Sequence, residues 1–388
     1  MNQPQEISTT SKYIDSPPNY DKFPFISVTE SSSDCICGWN EIIPTLINAI
    51  ADKSPKSTIV FETYPGIDHT EILKMLTREL QPDSCINTLD LFKPEKELNA
   101  LLSPFLGDHP IFGKLNDLEL RDFFDPGKLE LARDEIRARK TGIQLIFGPG
   151  AKDISEEISV LVYADLARWE IQQRMRRHEV DNLGFTNRRE KASTLYKQAY
   201  FVDWRVADKQ KMKTLPDADF LLDTNDRLTP KLIETSLYYR GLDKAITQPF
   251  RVVPFFDPGV WGGQWMKEVC DLDREEINYA WCFDCVPEEN SLLLGFGDQR
   301  VEIPAINLVL SSPVALLGEK VFEKFGAEFP IRFDFLDTME GGNLSLQVHP
   351  LKEYIKKEFG LDYTQDESYY LLDVEPDAVV YLGLKENV

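Results

Sequence analysis

The sequence predicts two units in series: an α/β unit built on a parallel sheet, then an all-β unit of the jelly-roll kind, incomplete within these residues. Three observations carry this. Between residues 57 and 223, short β-branched apolar runs alternate with helix-period runs, as when helices cover both faces of a parallel sheet. From Pro249 the pattern turns to short strands with brief helical inserts, cut by turns such as Asp257-Pro258-Gly259, Glu340-Gly341-Gly342 and Glu375-Pro376-Asp377. The change falls near Thr229-Pro230. The reading is therefore a flexible polar arm over residues 1–25, an α/β domain over 26–232 and a β domain over 233–388.

The α/β elements follow in order. Ile42–Ala51 has helical period, and Ser57–Thr63 is a short β-branched strand. The turn Tyr64–Asp68 leads into a helix from His69 to Leu80. Ile143–Gly148 and Ile158–Asp165 read as buried parallel strands. A basic helix follows, carrying Arg168, Arg174, Arg176 and Arg177, and then Asn187-Arg188-Arg189. Asp217–Asp223 completes the sheet, and Leu232–Leu242 reads as a connecting helix.

Strand, tight turn and helix in that order are the setting of a phosphate-binding P-loop. Against the pattern G-x-x-x-x-G-K-[ST], Thr63 stands at the first glycine, Asp68 at the second and His69 at the lysine. Only Thr70 fits, so any nucleotide contact rests on it. A carboxylate at Asp68 repels phosphate, and its side chain blocks close backbone approach. The alternation with an arginine-rich segment near its end resembles the uridine and nucleoside kinase group, whose arginines belong to a lid over phosphates. The expectation is a P-loop-like scaffold that has lost its chemistry, with the arginines pairing on a solvated face with Glu170, Glu179 and Glu190. His109 and His178 are expected at the surface.

In the second unit the candidate strands are Phe250–Phe255, Asn278–Val286, Ser291–Phe296, Ile331–Leu336, Asn343–His349, Glu367–Val374 and Ala378–Leu384. Asn343–Pro350 alternates cleanly. Leu344, Leu346 and Val348 point one way; Ser345, Gln347 and His349 point the other. A carboxamide oxygen and an imidazole nitrogen side by side form half of a tetrahedral metal site, and Glu367 offers a third ligand from another strand. Zinc accepts such ligands, so the expected metal set is Gln347, His349 and Glu367.

These residues also carry a family likeness. F-P-I-R-F-D-F-L-D (Phe329–Asp337) followed by L-S-L-Q-V-H-P resembles the class I mannose-6-phosphate isomerases. Trp261-Gly262-Gly263 and the run Glu367–Lys385 are similar to further stretches of that family; the likeness spans roughly Gln248 to Val388. It implies a cupin fold, zinc, and interconversion of mannose 6-phosphate and fructose 6-phosphate. In such chemistry a proton moves between C1 and C2 through an enediol, and a divalent ion stabilises the developing oxyanion. Two family lysines are replaced, by Gln365 and by Asp334. Arg332 lies on the same strand face as Asp334 and compensates, so Arg332 and Gln365 are the expected sugar-phosphate contacts. The family's fourth ligand, a histidine, and its catalytic arginine lie further downstream than Val388, which implies the front part of a longer protein. The alternatives are a non-catalytic sugar-phosphate-binding regulatory cupin, or a nucleoside or sugar kinase acting through the first unit.

Composition narrows the classes. Formal net charge is −22, which disfavours nucleic acid. No apolar run reaches about 18 residues, so no membrane span is expected. The N-terminal residues lack the basic head and apolar stretch of a signal peptide, and a cytoplasmic location is the expectation. Six cysteines in 388 residues do not make a disulfide scaffold. Cys35 and Cys37 form C-x-C and Cys282 and Cys285 form C-x-x-C; the latter pair reads as structural thiols on opposite faces of a strand.

Overall fold

The structure is a computed structural model describing residues 16–51 and 55–381, together with Tyr13 and Gly383. Among the described residues it is a mixed α/β molecule with one large sheet and two small ones. The chain runs through β1 (Phe25–Thr29), β2 (Ile36–Cys37), α1 (Trp39–Ile50), β3 (Lys56–Thr63), α2 (His69–Leu80), β4 (Ser84–Asn87), α3 (Glu95–Leu106), α4 (Pro126–Ala138), β5 (Gly142–Gly148) and β6 (Val160–Asp165). It continues through α5 (Arg168–Arg176), α6 (Ala192–Gln198), α7 (Trp204–Thr214), β7 (Phe220–Asp223), β8 (Lys231–Glu234) and α8 (Thr235–Ile246).

The large sheet has the order β2-β8-β7-β6-β3-β5-β4. β4, β5, β3, β6 and β7 are parallel, whereas β8 and β2 run antiparallel at one edge. In chain order the parallel strands thus lie 2-3-1-4-5, with β3 in the middle. Side-chain alternation splits β3 between two cores. Ile59 and Phe61 face α1 and α2. Val60 faces α4 and the strands beyond. Because both faces are covered, β3 and β6 are buried almost throughout, which is why they read as continuous apolar runs.

The rest comprises β9 (Phe255–Asp257), α9 (Trp265–Val269), β10 (Trp281–Cys285), β11 (Ser291–Phe296), β12 (Gln299–Pro304), α10 (Ile306–Ser311), α11 (Pro313–Leu317), α12 (Glu319–Phe325), β13 (Phe333–Leu336) and α13 (Lys352–Phe359). β1 pairs parallel with β11, and β11 pairs antiparallel with β12. β13, β10 and β9 form an antiparallel sheet. Leu292, Leu294, Val301 and Ile303 share one core with Val60, Ile146 and Leu161, so the β1-β11-β12 sheet packs on the large one. Rings stack from Trp169 of α5 through Phe255 and Phe283 to Trp281, tying α5 to the β9-β10-β13 sheet.

Several sequence expectations differ from this outcome. The sheet does not end at β7: β8 and β2 continue it, and β8 occupies the start of the run read as a helix. Helices α10 to α12 and strand β12 were not resolved as elements by pattern. Asn343–His349 and Glu367–Val374 form no ladder; neither is a regular strand. Ala378–Leu384 reaches beyond the described residues; its described part is unpaired too. Of the expected arm, residues 1–12, 14 and 15 lie outside the described residues. Its later part is docked: Tyr20 donates to Asp284 at 2.7 Å and meets Phe256 and Phe335 edge-on.

Candidate functional site

The local frame of the expected metal site comes from three turns packed together. Gly341 and Gly342 lie against Trp261 so closely that a Cβ at Gly341 would stand 2.3 Å from the Trp261 carbonyl oxygen. Asp337, buried at the end of β13, accepts the backbone N–H groups of Met266 at 2.8 Å and Met339 at 2.9 Å. The W-G-G, F-L-D and E-G-G motifs are therefore one structural knot, and it sets where the following segment leaves.

That segment brings His349 to Glu367. The imidazole Nε2 lies 2.8 Å from Glu367 Oε2. Thr364 pins the two stretches together by donating to the Pro350 carbonyl at 2.7 Å. Tyr369 hydrogen-bonds Glu367, and this raises its hydroxyl pKa to about 12. Asp334 on β13 is also near: burial, and then the negative charge of Glu367, push its carboxyl above the usual range. Gln347 is exposed, and Leu346 and Val348 beside it are 80% and 82% exposed. Two of the three residues of the expected apolar face thus meet solvent rather than a core, while Leu344 is half-buried.

The donors suit zinc in kind. Two ligands on one tetrahedral ion, with bonds of about 2.0–2.2 Å, stand about 3.3 Å apart. The His349–Glu367 contact needs to open only by about half an ångström to reach that. Among the described residues no three His, Cys, Asp or Glu side chains are grouped to hold a metal, and Gln347, the third expected donor, is exposed. The expected substrate contacts sit differently. Arg332 turns toward the second unit's buried Glu288, 3.3 Å away, and Gln365 is exposed.

The carboxyl ends of β3, β5 and β6 form the other candidate region. Asp68 caps α2, accepting the Glu71 N–H at 3.3 Å, and pairs with Arg227 at 3.2 Å. The helix N-terminus that would greet a phosphate is thus served by the chain's own carboxylate. Thr70 is exposed one residue into the helix. His69 is half-exposed as a residue, yet its ring is packed edge-on to Phe147 and its Nε2 is buried without a partner. Burial lowers its pKa to about 3.

Sequence reasoning missed a buried polar network here. Arg168 donates to Asp208 at 2.5 Å, to the Tyr64 hydroxyl at 3.1 Å and to the Glu288 carbonyl at 3.0 Å. Lys211 donates to both oxygens of Asp165 and to Asn307 at 2.8 Å. The signal that could have found it is Asp165, an acid closing an apolar strand, with Asp208 and Lys211 three residues apart on one helix. Beside Lys211 and Asn307 lies a cavity of about 230 Å³ walled by Tyr239, Leu310 and Ser311. The slit between Glu62, Thr63 and Tyr163 holds only about 10 Å³.

The arginine-rich helix shows mixed placement. Arg174 pairs with Glu170, and Arg177 pairs with Glu170 and Glu179, as expected of a charged face. Arg174 is nonetheless fully buried, donating to the carbonyls of Gly66 and Thr224. Arg176 grips Asp257 through two bonds of 2.8 Å. His109 and His178 are exposed. Cys282 is buried and Cys285 half-buried, both as free thiols. No described helix is long and apolar enough to cross a membrane.

No curated protein matches this chain. Residues 38–247, a little over half of the chain, match the family described as a domain of unknown function, DUF8485; the match runs from the residue before α1 to the residue after α8. The chain belongs to the DUF8485 family.

Proposed function

We propose that the C-terminal third supplies metal ligands to a zinc-dependent aldose–ketose isomerase that interconverts mannose 6-phosphate and fructose 6-phosphate. The observation that carries this is the 2.8 Å approach of His349 Nε2 to Glu367 Oε2, eighteen residues apart in the chain. Gln347, His349 and Glu367 would hold the ion, which supplies Lewis acidity toward the sugar's C1 and C2 oxygens. Tyr369 orients the Glu367 carboxylate. Asp334 keeps its proton to higher pH than a free aspartate, which suits a group that holds a proton beside the reacting carbons. Elemental analysis of the purified chain tests the ligand set. Bound zinc that is lost in His349→Ala supports it; zinc content unchanged by that substitution rejects it.

The α/β unit is read as a P-loop-like scaffold of the nucleoside kinase kind without nucleotide chemistry. The 2-3-1-4-5 order, with a turn and helix after the central strand, supports the scaffold. The Asp68 cap, its Arg227 partner and the filled slit support the loss of chemistry. Calorimetric titration with magnesium ATP should give no binding heat; saturable, magnesium-dependent binding would revive a kinase. One observation favours a second reading, a regulatory cupin that binds sugar phosphate without converting it: Arg332 is engaged by Glu288 and the two lysine positions are Gln365 and Asp334. Binding of mannose 6-phosphate without turnover is its signature.

A further inference from the structure

We infer that Cys35, Cys37 and Gln299 form a thiolate metal site, separate from His349 and Glu367, that takes a thiophilic divalent ion of the zinc class. The two sulfurs lie 3.8 Å apart. Metal–sulfur bonds of about 2.3 Å at a tetrahedral angle place two sulfurs about 3.8 Å apart. Gln299 Oε1 lies 3.4 Å from Cys37 Sγ, and a sulfur and an oxygen on one such ion stand about 3.5 Å apart. Cys35 is buried, whereas Cys37 and Gln299 are half-buried, so an ion enters from the Cys37 side and solvent completes the shell.

The two halves of the site are held before any ion arrives. Cys35 and Cys37 flank Ile36 at the edge of the large sheet, where Cys37 stands opposite Lys231 of β8. Gln299 opens β12 in the other sheet. Ser32 donates to Asp298 at 2.5 Å, and the Gly297 N–H donates to the Thr29 carbonyl at 2.9 Å, fixing the 29–37 stretch against the β11–β12 turn. An ion here clips one sheet to the other. Its uptake replaces two S–H bonds with two metal–sulfur bonds and releases two protons to solvent. A disulfide fits less well. In extended backbone, residues two apart have Cα atoms about 6.6 Å apart, near the upper limit for a bridge, and the backbone would have to contract.

The test titrates the metal-free 388-residue chain with cadmium ions and follows the ultraviolet thiolate-to-metal charge-transfer band. One equivalent should produce the band, and Cys37→Ser should abolish it. Cys282→Ser and His349→Ala should leave it intact, which separates this site from the isomerase ligands, whose donors include no sulfur. Cadmium should also block maleimide labelling of Cys37 in the unmutated chain, a readout independent of how the variant folds. Absence of the band, a band that survives Cys37→Ser, or labelling unaffected by cadmium overturns the inference. So does a peroxide-formed Cys35–Cys37 disulfide in a chain that takes up no cadmium.

Discussion

Glu62 lies one residue before the end of β3 and His69 begins α2, and burial shifts both toward neutrality. Desolvation raises the Glu62 carboxyl to about 8, although the backbone N–H groups of Gly150 and Lys152 favour its charged form. Desolvation lowers the His69 imidazole to about 3. The signs oppose. For Glu62 the folded chain keeps a proton that the unfolded chain loses above about 4.5, so its contribution is full below that pH and is lost as pH rises through 8. For His69 the unfolded chain takes a proton below about 6.5 that the folded chain refuses, so stability falls with acid down to about 3. Each group can tilt stability by up to about 1.4 kcal/mol per pH unit. Urea unfolding should show Glu62→Gln flattening the loss between pH 6 and 8, and His69→Gln flattening the loss between pH 6 and 4. Slopes identical to the parent in both variants would refute the assignment. Neither shift was legible beforehand: alternation alone does not tell a buried glutamate from an exposed one.

At the scale of elements, the β3–α2 turn separates cap from backbone strain. Asp68→Ala removes one capping acceptor and should cost about 1 kcal/mol. Gly66 has φ +100°, and a Cβ there would stand 2.8 Å from Ile171. Gly66→Ala should therefore cost more, about 2–4 kcal/mol, because the conformation and the packing both resist it. Thermal melts of the two variants rank the effects, and a smaller loss in Gly66→Ala would contradict this account. α2 itself was legible to the residue, since His69–Leu80 has helical period and an aspartate before it. β8 was not. Leu232 and Ile233 are both buried, on opposite faces of the sheet, and the run merges into the apolar stripe of α8.

Across the whole molecule, one core joins residues that the sequence assigns to different units. Leu294 of β11 packs with Val28 of β1 and with the face of the large sheet. Leu294→Ala should cost about 2–5 kcal/mol. It should lower a single melting transition seen equally by probes of both sheets. Two transitions, with only one shifted, would show the sheets to be independent. The stretch 343–381 behaves otherwise: Leu346, Val348, Tyr370 and Tyr381 are each at least 80% exposed. Limited proteolysis should cut there first, before any site in β3 to β7.

Alternation, period and turn residues by themselves determined strands β3, β5, β6 and β7 and the helix at His69, and offered His349 and Glu367 as candidate ligands, because each is a local signal read along a few residues. Only the tertiary structure decided that β1 leaves the arm to join β11, that Arg168 is buried against Asp208 rather than free as a lid arm, that Lys211 is buried against Asp165, and that Gln347 faces solvent. Those outcomes depend on which distant surface covers a side chain. Burial, and with it charge state and reach, is a property of the packed molecule, and short-range spacing carries no record of it.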